Sequence, residues 1–279
     1  MTYYLEHSEW MNSLVVPEGM NLDMLAMPGR LDTLLKPALT QVARGNIVVD
    51  MGCGTGVLGL HAISNGAAFV YFIERDPQMF RILENVLPGK IQGSNYKLIN
   101  KDIECLSVED FDQGLPDFII SEFYGPRLFD EGYVNYTKHL RSFLPNCQFI
   151  PETFVVDFYL NDIDYSQPIW PADTSLIDHF KYMYREKGFA KHMDIKLDDY
   201  LGSITFNANS QQFDNNVEFF YNSYLADDKL VVGKAIVKHR EFTQYYSVIG
   251  WVMGSTDLNK KFRLYYDVEQ YFNPRKVEI

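Results

Sequence analysis

The chain has 279 residues, 47% of them hydrophobic, with a formal net charge of −12 at pH 7. That is enough apolar material for one large packed domain or two modest ones, and it argues against disorder. Its Lys and Arg form no cluster, which argues against a nucleic-acid partner; an acidic surface instead attracts cations, a basic peptide among them.

Between Asn46 and Ile150, apolar strands alternate with helical stretches. Ile47-Val48-Val49-Asp50 reads as a strand, followed by a glycine turn and a helix near Val57 to Asn65. Phe69 to Glu74 reads as the next strand, then a helix from Pro77 to Val86, a short strand near Lys97 to Asn100, a strand ending at Glu122, and a helix near Phe129 to Phe143. Such alternation predicts βαβ units and a doubly wound parallel sheet of the Rossmann-like α/β class. From Phe154 the pattern changes. Phe154 to Leu160, Val217 to Tyr224, Leu230 to Lys238, Tyr245 to Trp251 and Phe262 to Val268 read as strands separated by polar turns, which predicts a mostly antiparallel β-barrel or sandwich. Ile163 to Leu201 reads as an insertion with helical periodicity. The predicted organisation is an N-terminal helical segment over 1–45, a cofactor-binding domain over 46–150 and a β domain over 151–279 containing that insertion.

Asp50-Met51-Gly52-Cys53-Gly54-Thr55-Gly56 follows the first strand and opens a helix, where glycines permit a tight turn and close approach of a ligand to the backbone. Read from Gly54, the letters also satisfy G-x-G-x-x-G through Gly56 and Gly59, so the glycines alone leave a nicotinamide cofactor open. No Gly-Lys-Ser or Gly-Lys-Thr follows, so a phosphate-cradling P-loop is absent. Glu74, 24 positions after Asp50 at the end of the second strand, is placed to accept both hydroxyls of a ribose. The third strand runs into Asp102-Ile103-Glu104, where an acidic side chain and an adjacent backbone N–H can read an adenine edge.

The run Ser121-Glu122-Phe123-Tyr124-Gly125-Pro126-Arg127-Leu128-Phe129-Asp130-Glu131 leaves the carboxyl end of a buried strand, where open α/β sheets place their ligands. Gly125-Pro126 turns the chain and can return Glu131 beside Glu122. Two facing carboxylates suit a planar cation.

These residues resemble the class I S-adenosylmethionine-dependent methyltransferases and, within them, the protein arginine N-methyltransferase family. The first motif of that family looks like Val48 to Gly56, its ribose-binding acid matches Glu74, and its double-glutamate loop matches Ser121 to Glu131 with the same spacing, which decides against nicotinamide. Asp23 to Arg30 looks like the family's N-terminal helix, with Arg30 at the position that grips the cofactor carboxylate; a guanidinium suits a bidentate carboxylate. The resemblance implies S-adenosyl-L-methionine held by Arg30, Asp50, Gly52, Gly54, Glu74, Ile103 and Glu104. It also implies an arginine guanidinium oriented by the catalytic Glu122 and Glu131 for in-line methyl transfer, and a homodimer formed through an arm at 163–201. The acceptor is an arginine-containing protein or peptide, or free arginine or a small guanidino metabolite; a non-catalytic regulatory subunit and a methyltransferase acting on oxygen or carbon are the competing readings.

One departure stands out. The family's Thr-His-Trp loop has as its nearest counterpart Thr243-Gln244-Tyr245, and the acid that pairs with its His is replaced by Met27. None of the six histidines substitutes for it; His239 is placed at the end of a strand. Cys53, Cys105 and Cys147 are an odd number without C-x-x-C spacing, so neither a disulfide framework nor a zinc site is expected, and no metal. No apolar run approaches the roughly 18 to 20 residues that cross a bilayer, and the first 20 residues lack the basic start and apolar stretch of a secretory signal. A soluble, cytoplasmic protein without a membrane partner is expected.

Overall fold

The structure is a computed structural model in which residues 31–124, 128–129, 131–162, 199–222, 229–267 and 272–279 are described. The chain divides into two compact units. One comprises Met1–Phe123, Gly132–Glu152 and His239–Phe242; the other comprises Tyr124–Glu131, Thr153–Lys238 and Thr243–Ile279.

In the first unit, α1 (Leu35–Val42) precedes β1 (Ile47–Met51), α2 (Val57–Ser64), β2 (Phe69–Ile73), α3 (Pro77–Lys90), β3 (Tyr96–Ile99), β4 (Phe118–Ile120), α4 (Tyr133–Phe143) and β5 (Gln148–Ile150). The sheet order is β3-β2-β1-β4-β5, and every pairing is parallel. Strand order therefore reverses between β1 and β4, the place where open α/β sheets open a crevice at their carboxyl ends. The strands are short apolar runs buried on both faces: Val48, Val49, Val70, Phe72, Ile119 and Ile120 are all buried, as expected for a parallel sheet covered by helices.

Local chemistry sets the helix ends. Asp76 caps α3 by accepting the Gln78 N–H at 3.0 Å, with Pro77 at the first helical position. The helix outruns the end expected at Val86, because buried Leu87 fixes the last turn and Pro88 falls close to the terminus, at Lys90. At the other end of the unit, α4 starts four residues later than the sequence pattern suggests. Gly132 takes φ +86 at its N-cap, and Leu128, Phe129 and Glu131 before it are not helical.

The second unit contains β6 (Thr153–Asp162), β7 (Asp199–Asn207), β8 (Gln212–Asp214), β9 (Val217–Tyr221), β10 (Lys229–His239), β11 (Phe242–Met253), β12 (Lys260–Asp267) and β13 (Phe272–Glu278). They form two sheets, β11-β10-β6-β7-β8 and β13-β12-β9. Strand β10 alternates buried and half-buried positions along its length, the period-2 signature of a sheet with one face on a core. Phe154, Phe158, Phe206, Val231, Ala235, Leu264 and Tyr266 fill that core. Gly233 lets β10 pack close, since a Cβ there would lie 2.9 Å from both Val156 and Val248. The antiparallel β domain is as expected, but β7, β8 and β13 were not foreseen. The insertion expected at 163–201 lies outside the described residues except for its last three, which begin β7.

Candidate active site

Asp50 is the next-to-last residue of β1; its carboxylate is 1% exposed and accepts the Gly59 N–H at 2.7 Å. The turn beyond it is made by Gly52, Gly54 and Gly56, all at positive φ (+65°, +50° and +72°), where a side chain would be strained. Gly59 performs another task. A Cβ there would run into the Phe72 ring, so this glycine lets α2 lie directly on β2. The third glycine of the G-x-G-x-x-G letters thus has a helix-packing role that requires no dinucleotide.

Glu74 follows β2 and is 8% exposed; its carboxylate accepts the Gly54 N–H at 2.9 Å and the Asp76 N–H at 2.8 Å. The Asn100 side chain, which no sequence pattern singles out, donates to the Glu74 carbonyl at 2.8 Å and the Arg75 carbonyl at 3.2 Å, tying the ends of β2 and β3 together. Ile103 is buried and starts a 3-10 turn, while Glu104 is exposed. The Glu104 N–H donates to Asp102 Oδ1 at 3.0 Å, which closes the turn.

Burial dominates the electrostatics. It pushes the Asp50 carboxyl from an ordinary 3.8 to about 8, opposed by the Gly59 N–H and reinforced by Glu74 and Glu122. Glu74 is also raised, chiefly by burial, despite its two amide donors. The charges of Glu74 and Glu122 both bear on Asp50, an environment that favours a cation. Ribose hydroxyls fit the remaining lone pairs of Glu74, and a positively charged sulfonium or ammonium fits the acidic floor, so the residues present are suited to S-adenosylmethionine.

Glu122 is half-buried just beyond β4 in the first unit, and Glu131 is half-buried just ahead of α4, grouped with the second. Between them two aromatics hold the loop, a role the sequence reading missed. The tip of the Phe123 ring occupies the space a Cβ on Gly52 would take, and the ring lies 5.5 Å from that of Tyr136 in α4. Phe129 is surrounded in the β unit by Phe206, Phe213 and Tyr266 edge-on and by Phe154 at a tilt, with ring centroids 4.9 to 5.9 Å away. The aromatic letters within the run were the available signal.

Arg30 and Met27 lie outside the described residues. Thr243-Gln244-Tyr245 is not a loop. It sits inside β11, because β10 and β11 are joined by the tight turn Arg240-Glu241, with Arg240 at φ +53. Among the described residues no group of His, Cys, Asp and Glu is placed to hold a metal, and no helix is long and apolar enough to cross a membrane.

A glycine turn, buried acids at consecutive strand ends and a reversal of strand order define a Rossmann-like, nucleoside-cofactor type of α/β unit, joined here to an antiparallel β unit. That two-part architecture is the fold of protein arginine methyltransferases: the crystal structure of PRMT6-SAH superposes with a TM-score of 0.62 over 92% of this chain and 98% of that one, at 13% identity. In sequence, residues 33–113 match the family model described as Conserved hypothetical protein 95. The chain is 29% identical over 140 residues to the probable protein arginine N-methyltransferase 3 of Arabidopsis thaliana, covering 46% of this chain and 23% of that protein. It is 30% identical over 115 residues to the arginine N(omega)-methyltransferase of Streptomyces achromogenes subsp. streptozoticus, covering 40% of this chain and 32% of the relative. The matches thus span about a quarter to a third of these relatives' own lengths, and the likeness to arginine methyltransferases read from the sequence is borne out.

Proposed function

We propose that the protein is an S-adenosylmethionine-dependent N-methyltransferase acting on an arginine guanidinium. The observation that carries this reading is the line of acids Asp50, Glu74 and Glu122 at the carboxyl ends of β1, β2 and β4 around a glycine cradle, with Asp50 pushed up to about 8 by its surroundings. When bound, the cofactor supplies an electrophilic methyl group. Arg30, Asp50, Gly52, Gly54, Glu74, Ile103 and the Glu104 carboxylate are the residues we assign to hold it.

A guanidinium stays protonated at any physiological pH, so its nitrogen lone pairs are delocalised and poorly nucleophilic. Glu122 and Glu131 would accept its N–H groups in charge-assisted hydrogen bonds and draw positive charge toward the bonded nitrogens, which leaves another terminal nitrogen richer in electrons and fixed in direction. Rate would come from positioning and preorganised charge, with no covalent intermediate.

The acceptor follows from the names of the relatives: a protein or peptide arginine in one case, the terminal nitrogen of arginine in the other. Incubation with labelled S-adenosylmethionine and either arginine or an Arg-Gly-rich peptide, read by mass spectrometry, distinguishes them. Methylated product that is lost in Glu131→Gln supports the mechanism; undiminished turnover in that variant refutes it. A second reading, a non-catalytic subunit, is favoured by the placement of Thr243-Gln244-Tyr245 in a strand; failure to bind S-adenosylhomocysteine in calorimetry would establish it over the first. We further propose a cytoplasmic homodimer. Free Cys53, Cys105 and Cys147 suit a reducing compartment, and sedimentation at about twice 32.4 kDa tests the dimer.

A further inference from the structure

His239 closes β10 and is 1% exposed, yet neither ring nitrogen has a hydrogen-bond partner in the described protein. A buried unsatisfied polar group is costly and demands a reason. The Glu152 carboxylate stands 3.9 Å from Nδ1, beyond hydrogen-bond reach. Glu152 is engaged elsewhere: its other oxygen accepts the Arg240 N–H at 3.1 Å. The turn is also fastened to α1, where Arg240 donates to Gln41 at 3.4 Å and Gln41 donates to Glu241. The residue before Glu152, Pro151, accepts a 2.6 Å hydrogen bond from the fully buried Tyr133, the first residue of α4 and two positions after Glu131.

The imidazole therefore sits at one end of a short mechanical chain running through Glu152, Pro151 and Tyr133 to the start of α4. We propose that His239 is a proton-operated positioning residue: on taking up a proton it draws the Glu152 carboxylate onto Nδ1 and off the Arg240 amide, which moves the Pro151–Tyr133 anchor and with it the backbone that carries Glu131. Glu152 and Glu241 favour the imidazolium, while burial, the largest influence, and Arg240 oppose it, so the change falls below the ordinary 6.5. Tyr133 faces the same Glu152 and stays neutral throughout, since burial and that carboxylate both raise it.

The consequence for function rests on the proposed arginine methylation, but the displacement itself does not. The intact protein is titrated from pH 8 to pH 5 by NMR, following the His239 ring proton and the Gly132 and Tyr133 amides. A shared midpoint below 6.5 is expected, abolished for the amides in His239→Phe and in Glu152→Gln. Amides that show no inflection at the His239 midpoint, or that keep it in either variant, overturn the proposal. His239→Phe removes two unsatisfied nitrogens and should unfold no more readily than the parent; if it fails to fold, Glu152→Gln decides alone. With a turned-over acceptor, kcat/KM should fall roughly tenfold or more across the same midpoint, while S-adenosylhomocysteine affinity stays flat. If no acceptor is turned over, the function reading fails and the amide titration still stands.

Discussion

Gly52→Ala isolates the contact that joins the cofactor turn to the glutamate loop. Two penalties apply at this position. Its φ of +65 costs an L-residue about 1–2 kcal/mol. The new Cβ would also lie within 2.8 Å of Cζ, Cε1 and Cε2 of Phe123, so the ring must move, an overpacking cost of about 1–3 kcal/mol. The sum is about 2–5 kcal/mol, measured as a shift in urea unfolding. Two controls separate the parts. Gly45→Ala has φ +75 with nothing within 4 Å and should show the backbone penalty alone; Gly59→Ala has no positive φ but meets the Phe72 ring, and should show the clash alone. Combining Gly52→Ala with Phe123→Leu should recover about 1–3 kcal/mol relative to additivity, because the two sites share one contact. If Gly52→Ala costs no more than Gly45→Ala, or if the pair is additive, Phe123 does not press on the turn and its assigned part in the site is wrong.

Asp50→Asn should change how stability depends on pH. The folded carboxyl keeps its proton up to about 8 while the unfolded chain releases it near 3.8, so this group's contribution is complete below about 3.8 and is lost as pH rises through 8. The variant should lack that decline and exceed the parent at pH 9, by on the order of 5 kcal/mol at most; parallel stability curves would refute the assignment. Phe129→Ala removes a ring held by four aromatic neighbours and should destabilise by about 3–5 kcal/mol in urea unfolding. Tyr133→Phe deletes the hydrogen bond to the Pro151 carbonyl and should cost about 1 kcal/mol, with the Gly132 amide shifting in NMR; an unmoved amide would argue that the anchor does not set the start of α4.

What could be read in advance and what could not divides along physical lines. The βαβ order was legible because parallel strands buried on both faces appear as continuous apolar runs, and a glycine turn with an acid 24 positions on marks their ends. The strand β7, Asp199–Asn207, was hidden because Gly202 interrupts it and its burial alternates only weakly. In β13, Pro274 and the charges of Arg275 and Lys276 concealed an edge strand that is hydrogen-bonded to β12. The start of α4 was placed too early because Leu128 and Phe129 look like helical apolar residues, whereas they serve the core as loop anchors, with Leu128 at φ +67.

The reading of Thr243-Gln244-Tyr245 failed for a different reason. Likeness to a family supplied the letters of a loop, but loop length is a property of this chain, and a turn of two residues leaves those letters in the strand. His239 lies four positions before Thr243, and its place in the sequence marks it only as a strand-end residue. Sequence spacing can bring acids to one crevice, as with Asp50 and Glu74, because the strands fix where they end. It is blind to a group such as His239, whose significance lies in what it fails to touch, and only a structure displays a buried ring with no partner.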